Sequence, residues 1–400
     1  MTALLRVLAC VTVAQAPLEG YLLEVHGHLA KVAPALLAVV WVVARVRERR
    51  FVTPHPLHAV LGAFAVVLLA STAAHAGGHY AVDYLQRWLP FLVLTVILVD
   101  VAAREVPVRA LLGAAVVGAA VAAVGALFSL LAQGEARASG PLEDPNDLAY
   151  FLVAALPLLV AFTPGRKWHA VAMALVALVL AAGAAATFSR GGALALSAAA
   201  VWLVARRVVP VKVVLGGVAA LVVVAGGALV VAGPALDRAL QEKSFIAGTN
   251  VDTRGLRWQA AARMVSAHPA LGVGPGGFRD HYPAFSRNAE VDEQTPVAHN
   301  MYLEVAAELG VAGFGLFAGL LAVAAVSSER VLRSGWRSSG WRGSGDRRAM
   351  AAVQASLIAV AVASTFLSQQ YYLPLWSLVA VVAAADLRVR RADACAARDR

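Results

Sequence analysis

The chain has 400 residues, of which 60% are hydrophobic and 14% charged, against the ~25% charged usual in soluble domains. With a mean hydropathy of +0.71, so much apolar surface cannot be hidden in a water-soluble fold of this length, and the composition predicts an all-α integral membrane protein. The formal charge of +10 does not read as a nucleic-acid surface, because the basic residues fall in short clusters between apolar runs instead of along one face.

Arg6, a short apolar run and Ala14-Gln15-Ala16 imitate a signal peptide. A retained first helix is the preferred reading, and a cleaved signal would leave the topology unchanged. Apolar runs near 3–16, 29–44, 57–74, 84–101, 108–132, 148–163, 168–187, 190–205, 212–232, 300–326, 349–367 and 371–387 predict about twelve transmembrane helices. Basic clusters fall in every alternate connection: Arg45 to Arg50, Arg104 with Arg109, Arg166-Lys167, Arg206-Arg207 with Lys212, 330–348, and the tail from Arg388. The positive-inside rule then places both termini in the cytoplasm. The chain divides into nine helices over 1–232, one large extracytoplasmic loop over 233–299, and three helices with a basic tail over 300–400. A small repeat, Ser334-Gly-Trp-Arg337 and Ser339-Gly-Trp-Arg342, sits in a cytoplasmic linker. Within the large loop, 254–267 reads as a short helix that breaks at His268-Pro269 and gives way to the turn-forming run 272–277.

Three polar motifs fall at the outer ends of helices that run inward: Asp144-Pro145-Asn146-Asp147, Ser189-Arg190-Gly191-Gly192 and His299-Asn300. Helix N-termini present unpaired N–H groups and the positive pole of the dipole, which suits an anion such as phosphate. Arg190 adds a full charge, although many arginines at such positions are interfacial anchors. His299 opens a helix whose dipole favours the neutral imidazole, the state a general base needs; the plainer reading is a helix-capping histidine. Glu304 and Glu308 share one face of that otherwise apolar helix and are expected to look into the bundle or a wet cavity. The loop supplies Arg254, Arg257, Arg263, Arg279 and Arg287 against one lysine, Lys243. Arginine forks match diphosphate oxygens, while a solvated surface is the plainer account. Backbone N–H groups of the glycine run 272–277 could also cradle phosphate. Acids and histidines of the loop match no defined metal spacing, and Cys10 and Cys395 are too far apart in the sequence to suggest a thiolate site, so no metal is expected.

At this point the chain resembles the O-antigen ligase family, which also includes bacterial polysaccharide polymerases. The resemblance is carried by four stretches in order: Glu143 to Ala149, Thr187 to Ala193, Thr253 to Trp258 with His268 to Phe278, and His299 to Gly310. The spacing of His299, Asn300, Gly310 and Gly313 satisfies the family's loop signature. The resemblance implies a bundle similar to the GT-C class in a bacterial inner membrane. It also implies a metal- and cofactor-independent transferase whose donor is a polyprenyl-diphosphate-linked saccharide and whose acceptor is a glycan or glycolipid. It assigns Arg190 and Arg254 to the donor diphosphate and His299 to the acceptor hydroxyl, and a single displacement would invert the anomeric centre. Arg257, Arg279, Asn300, Asn146 and Glu308 are the expected substrate contacts. A polymerase would use the same chemistry on a growing chain. A transporter or lipid-linked glycan flippase is the rival from another class, but it would put its ionisable groups near mid-membrane.

Overall fold

The computed structural model describes the chain except residues 50, 51, 134, 136, 291–294, 335–343 and 399–400, with the backbone alone described at 224–225, 227–252, 344–346 and 396–398. Most of the Trp-Arg repeat and residues 291–294 of the large loop therefore lie outside the described residues. Every regular element among those described is helical. Helices α1 (Thr2–Gln15) and α2 (Glu19–Val25) are joined by a short 3-10 turn. They are followed by α3 (Leu29–Glu48), α4 (Pro56–Ala74), α5 (Ala81–Arg104) and α6 (Val108–Ala132). Then come α7 (Pro145–Ala155), α8 (Lys167–Ala186), α9 (Arg190–Ala205), α10 (Val211–Ala267) and α11 (Gly277–Ser286). The chain closes with α12 (Met301–Ser334), α13 (Ser344–Ala363) and α14 (Leu373–Arg398).

Seven helical segments among the described residues are long and apolar enough to cross a membrane, namely Thr2–Val25, α3, α4, α5, α6, α8 and α12. Three more apolar segments are shorter, Pro145–Ala161, Arg190–Ala205 and Val211–Val223. The first of these tightens into a 3-10 helix at Leu156–Ala161, where Pro157 cannot continue the α-helical hydrogen bonding. The short helix expected over 254–267 is the last part of the 57-residue α10.

Charge sorts the two ends of the bundle. At one end Arg45 is 7% exposed and donates to Asp100 at 2.5 Å and to Glu105 at 2.7 Å. Asp100 also accepts from Trp41 and pairs with Arg104. Beside it, Asp386 receives His55, Arg330 and Arg390, while Arg206 pairs with Glu329. Arg388 caps the carbonyls of Ala102 and Val106. The basic clusters of α3, α5, α9, α12 and α14 thus meet at one end, held by the buried acids Asp100 and Asp386 and, for α9, by Glu329. Removing one member of such a buried pair typically costs about 3–5 kcal/mol, because the other is left uncompensated.

The opposite end gathers the N-termini of α7, α9 and α12, and each is capped by its own motif. Asp144 accepts from Asn146 N at 2.7 Å, Ser189 from Gly192 N at 3.2 Å, and Asn300 from Tyr302 N and Leu303 N, both at 3.1 Å. Below them an aromatic cluster ties α4, α5, α12 and α14 together. Trp88 meets Phe64 at 5.1 Å, Tyr371 at 5.2 Å and Trp376 at 6.1 Å between ring centres, the last two edge to face.

Within α12 the backbone breaks at Gly310, where φ is +66° and ψ −171°. The break frees groups that the glycine run takes up: Val273 N donates to Ala307 O at 2.9 Å, Gly274 N to Glu308 O at 3.0 Å, and Val311 N to Pro269 O at 2.8 Å. A Cβ at Gly310 would lie 2.5 Å from Ala270 O in a left-handed backbone. Gly310→Ala should therefore destabilise the protein by at least the ~1–2 kcal/mol of that conformation. Gly62→Ala, on an α4 face with nothing within 4 Å, should be neutral or slightly stabilising. Thermal unfolding of the two variants in detergent compares them directly, and equal melting temperatures would contradict this account of the seam.

Candidate functional site

A cavity of about 1060 Å³ opens among the capped helix ends. Its walls come from α1, α3 and α5 on one side, and on the other from the α7 N-terminus, α11, the turn before α12 and the connection between α13 and α14. Along α5 it reaches from Asp83 to Ile97, about 21 Å at 1.5 Å per residue. The volume accommodates several sugar rings, and the lining passes from polar at Asp83 and Arg87 to apolar at Pro90, Phe91 and Leu94.

His299 lines this cavity with a left-handed backbone, φ +48°. A non-glycine residue holds that conformation only where its surroundings enforce it. Glu304, 3% exposed, accepts from Ala298 N at 3.0 Å, directly before His299, and from Gln370 Nε2 at 2.7 Å. It also accepts from the Ser368 hydroxyl. Met301 N donates to Ser364 O at 2.9 Å and Leu367 O at 2.8 Å. The turn carrying His299 is therefore fixed from both sides against the 364–372 connection.

Arginines collect beside the α7 N-terminus. Arg137, which sequence reasoning passed over, donates to Thr187 O at 2.9 Å and to Asn146 Oδ1 at 3.2 Å, and so joins the first motif to the second. Arg254 is half-buried beside Asp144, Arg137 and Arg257. Burial pulls its pKa below the usual value; Asp144 opposes the shift, while Arg257 and Arg137 add to it. Since arginine keeps its proton, the group is a positive charge only partly compensated by protein. Arg190 begins α9, exposed to solvent and without a side-chain ion pair or hydrogen bond among the described residues. Gly191 lets this N-terminus close on Phe366, where a Cβ would stand 3.1 Å from the ring side chain.

The remaining expected contacts are divided between cavity and support. Arg279 lines the cavity, its guanidinium 5.7 Å from the Tyr84 ring centre. Arg87, also missed from sequence, stands 4.6 Å over the same ring. Arg257 is 6% exposed and forks onto Glu290 at 3.0 and 3.2 Å. Although burial raises the Glu290 pKa, the bonds from Arg257 and Tyr282 outweigh it and hold the carboxyl below its usual range, with a further contribution from His299. Asn146 is occupied by Arg137 and Asp144, and the Asn300 carbonyl by its capping role. Glu308 is buried at the α12 break with the backbone of Gly276 and Phe278 facing it, and its Oε2 has no hydrogen-bond partner. The glycine run does not offer the phosphate cradle its sequence allows. The N–H groups of Gly272, Val273, Gly274 and Gly277 are spent on His268, Ala307, Glu308 and Gly274 carbonyls.

Residues 175–318 match the model of a family described as O-Antigen ligase, which bears out the resemblance read from the motifs. The matched segment runs from within α8 to within α12 and contains Arg190, Arg254, Arg257, Arg279, His299, Asn300 and Glu308. No curated protein matches the chain. The matched segment is thus similar to the O-antigen ligase family, and the apolar helices are those of a multi-pass membrane protein.

Proposed function

We propose that this protein transfers a saccharide from a polyprenyl diphosphate to a hydroxyl of an acceptor glycan, as the O-antigen ligase match over residues 175–318 suggests. The observation that carries the reading is that Asp144, which lines the cavity together with His299, stands beside the half-buried and only partly compensated Arg254, at the end of the bundle opposite the basic clusters. By the positive-inside rule the basic end is cytoplasmic, so the cavity opens to the extracytoplasmic side. The acceptor oxygen attacks the anomeric carbon of the donor, and the bond from that carbon to the diphosphate oxygen breaks. The electron pair leaves with the diphosphate, and His299 takes the acceptor's proton for later release to water. Arg190 and Arg254, supported by Arg137, face the growing charge on the leaving group. One displacement inverts the anomeric centre.

The direct test is a reconstituted reaction in lipid nanodiscs, with polyprenyl-diphosphate-linked saccharide and an acceptor glycan extracted from the source strain. Wild type should form the glycosidic product, and Arg190→Ala should lose about 10²-fold or more in kcat/KM through its missing contact to the diphosphate. Absence of product with wild type, or an Arg190→Ala enzyme at full rate, would overturn the reading or that residue's place in it.

A further inference from the structure

The connection between α13 and α14 is a stretch that hydropathy divides between the ends of two apolar runs and the short gap 368–370, yet it forms a wall of the cavity through Leu367, Ser368, Gln369, Tyr371 and Tyr372. Carboxylates from two different motifs staple it in place. Asp147, in the first turn of α7, accepts from Gln369 and from the Tyr372 hydroxyl at 2.7 Å, and Glu304, in the first turn of α12, accepts from Ser368 and Gln370. Tyr371 is set on a rigid base, its ring 5.2 Å from Trp88 and 5.6 Å from Tyr84. Ala298 and Ser368 share one oxygen of Glu304, which brings this wall against the turn that carries His299.

We infer that this wall, formed by Ser368, Tyr371 and Tyr372 with Asp147, is the subsite for the acceptor sugar. The inference rests on the transferase reading above. Tyr371 and Tyr372 both line the cavity, and an aromatic ring can pack against the C–H face of a pyranose. Asp147 and Glu304 are carboxylates already oriented by donors inside the wall, and each keeps lone pairs for sugar hydroxyls. The charged groups of the wall itself are these two carboxylates, which suits a neutral or amino sugar. Arg87 and Arg279 stand across the Tyr84 ring in the same cavity, whereas Arg137 lies on another side of α7: Asn146 faces Arg137 while Asp147 faces Gln369 and Tyr372, since successive helical residues point about 100° apart. The first turn of α7 therefore separates a diphosphate side from a sugar side, and the sugar side is the one stapled to the turn of His299, where an acceptor hydroxyl has to lose its proton.

The test uses the full-length protein in nanodiscs with two substrates varied independently: lipid-linked donor extracted from the source strain, and oligosaccharides released by mild acid from that strain's envelope glycolipids. Tyr371→Ala and Asp147→Asn should each raise the acceptor KM by about 10-fold or more while the donor KM stays within about twofold. Titration of the same oligosaccharides into each variant without donor should show the matching loss of affinity, which gives a reading even from a variant with little turnover. If wild type transfers and both variants keep the acceptor KM, or if donor KM rises in step with it, the subsite is wrong although the transferase reading stands. If wild type makes no product but still binds the oligosaccharides through Tyr371 and Asp147, the transferase reading falls and the sugar site remains. If neither substitution alters oligosaccharide binding, the subsite falls too.

Discussion

His299→Ala is expected to lower kcat by roughly 10²–10⁴-fold, the usual share of a positioned general base, while the donor KM changes little. The expectation rests on position. The imidazole lines the cavity from a left-handed turn that Glu304 holds through Ala298 N and that Asn300 caps at the start of α12. Alanine keeps the chain's path but leaves the acceptor proton without a base, so transfer slows and donor binding survives. His299→Gln keeps hydrogen bonding without basicity and should be nearly as slow, which separates proton transfer from simple positioning. Single-turnover rates with saturating donor are the measurement, and a rate in His299→Ala within about threefold of wild type would remove the base from the mechanism.

The sequence made the membrane class, the main apolar helices and the three polar motifs legible, because hydropathy and helix-end chemistry are local properties. What it left unread depends on contacts between distant segments. The run 272–277 shows its glycines but not that their N–H groups answer carbonyls freed by a break at Gly310, whose positive φ no periodicity announces. Arg257 and Arg254 are three residues apart and look alike in sequence. One is committed to Glu290, 33 residues away, while the other keeps a charge only partly compensated by Asp144. Arg137 lies in a short connection with no motif of its own and gains meaning only when Thr187 and Asn146 are brought to it. Tyr371 and Tyr372 fall at the edge of an apolar run, and Asp147, the partner of the Tyr372 hydroxyl, stands more than 220 residues earlier. The twelve apolar runs expected likewise include helices such as α7, too short to span alone once Pro157 has changed its winding.

Arg254→Ala is the second large effect, expected at about 10²–10³-fold in kcat/KM, comparable with removing one preorganised donor from a developing anion. The half-buried guanidinium sits with Asp144 in its favour and Arg137 and Arg257 against it. Burial is the largest cause of its lowered pKa, and Arg257 and Arg137 both add to it; Arg257 is paired with Glu290, which leaves Arg254 and Arg137 to meet an anion. An incoming diphosphate answers both charges at once, so the cluster is strained when empty and satisfied when occupied. Two consequences can be measured. Affinity for the polyprenyl diphosphate should fall in Arg254→Ala and be only partly restored in Arg254→Lys, whose single ammonium cannot fork across two oxygens. Melting temperature without ligand should stay level or rise in Arg254→Ala, since a poorly compensated charge has gone, while the stabilisation conferred by added polyprenyl diphosphate shrinks. A variant that keeps wild-type donor affinity and wild-type ligand stabilisation would place the leaving group elsewhere. Joint loss of stability and activity would instead make Arg254 a structural residue. In a double-mutant cycle, Arg254→Ala and Arg137→Ala should lose less together than the sum of their separate losses, because both charges serve one anion.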